Sequence, residues 1–172
     1  MSQPRAFVHS SKYRPTGINF RALAPADQPF LAGLHASRRQ ADLAKVDWPE
    51  ERKAQFLLDE LREQEKHYEE HYPGTDRLIV ELGTLAIGRV YVQRVEGEIR
   101  LLDIALTSRA CGCGIGTALI RELIDESRAT GARITIHVEP DSAAKRLFAR
   151  LGFSLLEQRE GFDYMTWDPA VS

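Results

Sequence analysis

The sequence predicts an α/β fold of the α+β kind, with antiparallel hairpins first and a strand–helix–strand unit in the middle. Three observations carry this. Residues 77–106 are rich in Ile, Val and Leu and are punctuated by Leu82-Gly83 and Glu96-Gly97, the pattern of strands joined by hairpin turns. From Gly114 the apolar residues recur at helical spacing. Residues 133–139 then return to strict alternation.

A chain of 172 residues with 43% hydrophobic and 28% charged residues is long enough for one domain with a real core. Residues 1–16 read as a loose, turn-rich arm and 17–172 as a single domain. A formal net charge of -2 gives no electrostatic case for nucleic acid or an acidic membrane surface. No apolar run approaches the roughly 20 residues of a membrane helix, and no signal-peptide core opens the chain. Two cysteines two positions apart cannot form a secreted disulfide framework, so a cytoplasmic location is expected.

Taken in order, Gly17–Leu23 has short strand character, and Pro25 and Asp27 open a helix carrying Phe30, Leu31 and Leu34. Asp47-Trp-Pro-Glu50 has the form of a helix start, with Asp47 as cap and Pro in the first turn. The helix that follows puts Ala54, Leu57, Leu58, Leu61 and Tyr68 on one stripe, and Tyr72-Pro-Gly74 ends it. Its run Glu60–Glu70 is dense in charge of both signs and reads as a solvated face, with Tyr68 and Tyr72 bordering a substrate site.

Strands are expected at 77–81, 84–95 and 98–106, with Ala86, Gly88, Val90 and Val92 giving one small apolar face. Ile115, Ala118, Leu119, Leu123 and Ile124 form the apolar side of the next helix, which Gly131 stops. In the strand 133–139, Ile134, Ile136 and Val138 point one way and Thr135, His137 and Glu139 the other. Asp141 is the expected cap of a helix with Ala144, Leu147, Phe148 and Leu151 at core spacing, and two strands around 153–158 and 162–167 close the chain.

The stretch SRACGCGIGTALI, residues 108–120, joins a strand to a helix through three glycines. Unpaired amides at a helix start favour an anion, and glycine lets a ligand approach the main chain, so a phosphate or pyrophosphate is the expected occupant. A Walker A loop would need a lysine that is absent. A dinucleotide fingerprint would need glycine at Thr117, although Glu139 lies about 20 residues on, where a ribose contact is expected.

The segment LLDIALTSRACGCGIGTALI (101–120), followed by HVEPDSAAKRLFARLGF (137–153), resembles the GNAT superfamily of acyl-CoA-dependent N-acyltransferases. The resemblance implies a central, mixed, mostly antiparallel sheet of about six to seven strands flanked by about four helices. It implies acetyl-CoA as cosubstrate, no metal, and transfer of the acetyl group to a primary amine by direct attack. The cofactor's pyrophosphate falls on Cys111, Gly112, Cys113, Gly114, Ile115, Gly116 and Thr117, and its pantetheine arm along Ile104 and Leu106. Ser142, Lys145 and Phe148 on the following helix are further contacts.

Arg109-x-x-Gly112-x-Gly114 matches the family loop literally, but Gly114-Ile-Gly-Thr matches its helix start better and puts Cys111 where Arg or Gln is usual. Phe148 stands in place of a tyrosine often taken as the general acid, and Ser142 in place of an asparagine.

Deprotonation of the amine has three candidate bases, Glu139, His137 and Asp103, and Tyr164 is a candidate replacement for the missing acid. The bland readings are a helix-capping carboxylate, a half-buried structural histidine, a charge orienting the loop and a strand aromatic. Cys111 and Cys113 cannot build a zinc site alone, but two thiols near a helix start make a redox-sensitive loop conceivable. The alternative from another class is a sensor of the same fold that holds acyl-CoA without turnover. The expected partners are acetyl-CoA and an amine; a homodimer is compatible with the residues, and nothing demands one.

Overall fold

The computed structural model describes Phe7 and residues 12–170. One seven-stranded sheet, in the order β1-β2-β3-β4-β5-β7-β6, organises the chain. Its strands are β1 (Ile18–Ala22), β2 (Asp76–Leu82), β3 (Leu85–Val95), β4 (Glu98–Leu106), β5 (Arg133–Val138), β6 (Ser154–Arg159) and β7 (Phe162–Trp167). Four α-helices, α1 (Gln28–Leu43), α2 (Glu50–His71), α3 (Ile115–Thr130) and α4 (Ala143–Arg150), join them. Every strand pairing is antiparallel except β4 with β5, which the α3 crossover makes parallel.

Two bulges decide which side chains share a face. In the β2–β3 pair the register shifts so that Ile87 is the extra residue, and in β3–β4 the extra residue is Leu102. Past the first bulge Ile87 joins the core beneath α3, whereas Ala86 packs with Leu31, Leu61 and Ile79 on the other side. The expected single face of Ala86, Gly88, Val90 and Val92 is therefore broken at Ala86, because one inserted residue flips the alternation.

The large core lies between the sheet and α3 with α4. Leu119, Ile120, Leu123, Ile134 and Phe148 are all essentially inaccessible there. Gly131, in the left-handed conformation, closes α3 by donating its N–H to the Ser127 carbonyl, as the sequence suggests. The opposite face carries a smaller apolar cluster under α1 and α2, seeded by Leu31, Leu61 and Ile79.

Four local expectations are corrected. Asp47 makes no cap: α2 starts after Pro49 with no side-chain cap bond. At α4 the cap is Ser142, whose hydroxyl accepts the Lys145 N–H, while Asp141 takes a left-handed φ of 60° one residue earlier. Ala144 is exposed, and on α2 Ala54 and Leu58 face solvent while Glu60, Gln64 and Glu65 turn inward. That helix's inner stripe thus runs through polar residues as well as Leu57, Leu61 and Tyr68, and Glu60–Glu70 is only partly a solvated face.

The segment read as a loose arm is described at Phe7 and residues 12–16, with the rest of 1–16 outside the described residues. Phe7 stacks on Phe20 at 4.6 Å, and Arg14 pairs with Glu122 of α3 at 2.8 Å. This part of the arm is docked, because an aromatic ring finds an apolar partner and a guanidinium finds a shielded carboxylate.

Candidate active site

Below the Leu102 bulge, β4 and β5 run side by side; above it they part. Their parallel pairing covers Glu98 to Leu101 against Arg133 to Ile136 and stops there, although β4 continues to Leu106. The stretch from Leu102 to Leu106 therefore offers unpaired main-chain groups to anything extended that enters the gap. Ile104 and Leu106 are half-buried along it. Gly88 lies directly behind: a Cβ there would stand 2.4 Å from the Ala105 carbonyl oxygen, so only glycine lets β3 back this edge.

The glycine loop sits at the Leu106 end. The Thr107 N–H donates to the Ile87 carbonyl, and the Ala110 and Cys111 N–H groups both donate to the Thr107 carbonyl, closing a tight turn. From there the accounting changes. Among the described residues no protein acceptor takes the N–H of Gly112, Cys113, Gly114, Ile115, Gly116 or Thr117. Gly112 and Gly114 both have φ of 78°, and this alternation of left-handed glycines curls the amides into a concave nest at the α3 N-terminus. Ile115 is buried beneath it and holds the helix start in place.

These amides suit a pyrophosphate: they are donors only, they are unpaired, and they carry the positive end of the α3 dipole. Cys111 and Cys113 are exposed, free thiols, and their sulfurs turn toward the Leu106 and Arg109 carbonyls at 3.8 Å. Neither sulfur interrupts the row of amides. Among the described residues no group of three or more His, Cys, Asp or Glu could hold a metal ion.

The three cofactor candidates on or next to α4 have local roles already. Besides capping α4, the Ser142 hydroxyl donates to the Glu139 carbonyl at 2.7 Å. Lys145 reaches Asp163, a buried carboxylate on β7, at 2.5 Å. Phe148 is wholly buried in an edge-to-face contact with Phe153, which agrees with a core aromatic and leaves no exposed surface for a ligand.

The catalytic candidates are dispersed around the open gap. Asp103, on β4 just past the bulge, is buried and engaged twice: Arg89 donates to it at 2.6 Å and Arg38 at 3.2 Å. His137 lies on β5 beyond the last pair with β4, stacked on Tyr164 at 4.6 Å. Arg159 donates to its Nε2 at 2.9 Å, so the ring is neutral and carries its proton on Nδ1. Burial first and the Arg159 charge second hold its pKa below the ordinary histidine value. Tyr164 directs its hydroxyl toward Glu98, at the start of β4 and away from the glycine loop. Glu139 is exposed just past β5, and no bond to its carboxylate is found among the described residues.

One group that sequence reasoning missed dominates the α1/α2 side. Arg89, only 2% exposed in the middle of β3, is held by Asp103, by Glu65 at 3.1 Å and by Gln64 at 2.8 Å. Tyr91 donates to the same Glu65 oxygen at 2.9 Å, and Arg77 bridges Glu65 and Glu69. The signal was available: Arg89, Tyr91 and Gln93 alternate with Gly88, Val90 and Val92, and a charge in such a place requires a partner. The α2 carboxylates supply it.

The family's sequence profile, the acetyltransferase (GNAT) family, matches residues 39–153. The chain belongs to that family, and with it to the N-acetyltransferases. No curated protein matches it significantly. Its fold is similar to that of the PaiA N-acetyltransferase from Thermoplasma acidophilum in complex with coenzyme A. Identity there is 14%, with a TM-score of 0.65, over 88% of this chain and 98% of the other. It is similar also to the ribosomal-protein-S18-alanine N-acetyltransferase from Escherichia coli, at 19% identity, a TM-score of 0.56 and coverage of 88% and 93%. YncA from Salmonella typhimurium, solved with its cofactor acetyl-CoA, gives 20% identity, a TM-score of 0.52 and coverage of 89% and 94%. The mixed, mostly antiparallel sheet with four helices is the architecture that the sequence resemblance implied. No described helix is long and apolar enough to cross a membrane.

Proposed function

We propose that the protein transfers the acetyl group of acetyl-CoA to a primary amine by direct attack within a ternary complex. The observation that carries this is the row of unpartnered amides from Gly112 to Thr117 at one end of the open β4 edge. Acetyl-CoA supplies a carbonyl activated by a thiolate leaving group.

The chain's own work is to bind and orient. The amides and the α3 dipole hold the pyrophosphate, and the main chain at Ile104 and Leu106 aligns the pantetheine arm as an added strand would be aligned. The amine approaches from the α1/α2 face, between those helices and the β6–β7 hairpin. Holding the two reactants together turns a bimolecular encounter into a unimolecular step.

For the amine's proton, Glu139 is the carboxylate left open to act through water. Asp103 neutralises buried Arg89, and the His137 lone pair is taken by Arg159. The two thiols provide a direct test. Coenzyme A seated on the loop is expected to slow alkylation of Cys111 and Cys113, read by mass spectrometry of the two peptides. Unchanged rates at saturating coenzyme A would remove the loop assignment. Thioester consumption across an amine panel then separates turnover from mere binding; tight binding of acetyl-CoA with no turnover on any amine would favour a sensor.

A further inference from the structure

The unpaired main-chain N–H groups of the open β4 edge can meet the charge that builds as the amine adds, and a side-chain donor would strengthen that hold. Phe148 has no hydroxyl, Tyr164 points to Glu98, and the Tyr91 hydroxyl is committed to Glu65. The reacting end of the ligand can be located from the strand alone. From Leu106 to Leu102 the open β4 edge runs about 13 Å at the usual strand rise. The amide nest lies at the Leu106 end, so an arm anchored there and laid along the edge carries its acyl group toward Leu102.

Tyr68 stands at that point. It projects from α2 over the bulge, its ring edge-to-face with Tyr91 at 5.4 Å, and its hydroxyl donates to the Leu102 carbonyl at 3.4 Å. That bond is long, and among the described residues no other is found on the hydroxyl, so exchanging it for a better acceptor costs little.

We propose that Tyr68 is a catalytic residue, its hydroxyl donating a hydrogen bond to the thioester carbonyl oxygen. This rests on the acetyltransferase reading above. The amine nitrogen adds to the carbonyl carbon, the carbonyl π pair moves onto oxygen, and Tyr68 stabilises that oxygen while keeping its own proton. Collapse breaks the C–S bond, and the proton lost from nitrogen ends on sulfur through water. Amine and thioester thus give amide and thiol with nothing else consumed. Burial first, and the nearby Asp103 charge second, push the Tyr68 pKa well above the ordinary phenol value, which suits a donor that is never ionised.

The test uses the full chain and acetyl-CoA labelled with a heavy isotope at the acetyl carbonyl carbon, read by difference infrared spectroscopy alongside calorimetry. The wild-type protein is expected to move the carbonyl band to lower frequency, and Tyr68→Phe to move it back while acetyl-CoA affinity stays within about twofold. With a turned-over amine, Tyr68→Phe is expected to lower kcat about a hundredfold with little change in KM for acetyl-CoA. Ring-fluorinated tyrosine at position 68 keeps shape and hydroxyl, strengthens the donor and should lower the band further, whether or not the phenylalanine variant folds. A band indifferent to both changes, with acetyl-CoA bound, overturns the role of Tyr68 and leaves the acetyltransferase reading standing. Failure of the wild-type protein to bind acetyl-CoA overturns that reading first.

Discussion

The two faces of the sheet are built on opposite principles. Beneath α3 and α4 the chain buries Leu119, Ile120, Leu123, Ile134, Met165 and Trp167, with charge confined to pairs at the margin such as Asp163 with Lys145. Beneath α1 and α2 it buries Arg89 and Asp103, with Glu65 and Tyr91 bonded around them, beside a smaller apolar cluster at Leu31, Leu61 and Ile79. Burial of apolar surface stabilises by about 25 cal/mol per Å², whereas a buried ion pair roughly cancels its own desolvation. The first face therefore supplies most of the stability. The second fixes the position of β3, β4 and α2 relative to one another around the open edge, which is what an acyl-transfer site requires.

The sharpest way to break that contrast compares Arg89→Ala with Leu119→Ala. Removing Arg89 leaves Asp103 and Glu65 buried with one partner fewer, an expected loss of about 3–5 kcal/mol. Leu119→Ala opens a cavity in the large core at about 2–5 kcal/mol. The two are told apart by rescue. Joining Arg89→Met to Asp103→Leu and Glu65→Gln removes the orphaned charges and should recover most of the lost urea midpoint. If the triple variant is no more stable than Arg89→Ala, the α1/α2 face is not charge-balanced in the way described.

Next in size is Gly114→Val. Its Cβ meets nothing within 4 Å, so the cost is backbone strain at φ of 78°, about 1–2 kcal/mol for a β-branched residue. The chain can relieve that strain by rotating the peptide, which misdirects the amides around Gly114. Coenzyme A affinity is expected to fall at least tenfold, equivalent to about 1.4 kcal/mol, while the α3/α4 core keeps the melt cooperative. Affinity equal to wild type by calorimetry would separate the loop from cofactor binding.

How much of this could be seen in the sequence follows from the same contrast. Strands 98–106 and 133–139 and helix α3 with its glycine stop rest on local periods and local turn chemistry, and they stand where expected to within a residue. Strand existence was legible; the Ile87 and Leu102 bulges were not, since a one-residue insertion leaves no trace in an apolar run. The Arg89 cluster was legible only in part: a charge in the strand could be seen, its partners could not. Its partners come from α1, α2 and β4, up to 65 residues apart for Arg38 and Asp103, and no spacing rule links residues that only tertiary packing unites. The candidate residues thus lie together where the pattern is local, at 111–117, and scattered where it is not, at Asp103, His137, Glu139 and Tyr164.

The smallest expected effect tests the edge of the polar face at His137. Its folded-state pKa is depressed because burial disfavours the imidazolium, Arg159 repels it, and Glu157 only partly offsets both. The unfolded chain takes up this proton near the ordinary value of 6.5, while the native ring resists until lower pH. Between those two values the unfolded state holds more protons, so stability declines as pH falls through the window and levels off once both states are protonated. Above pH 6.5 both forms are neutral and His137 contributes no slope. His137→Gln removes this contribution alone. The other histidines, among them His35 beside Glu60, cancel in the difference between the two proteins. Melting temperatures taken from pH 5 to pH 8 should fall less steeply for the variant on the acid side and run parallel to wild type above neutrality. Parallel curves throughout would mean that Arg159 does not hold the ring neutral, which would return His137 to contention as the base.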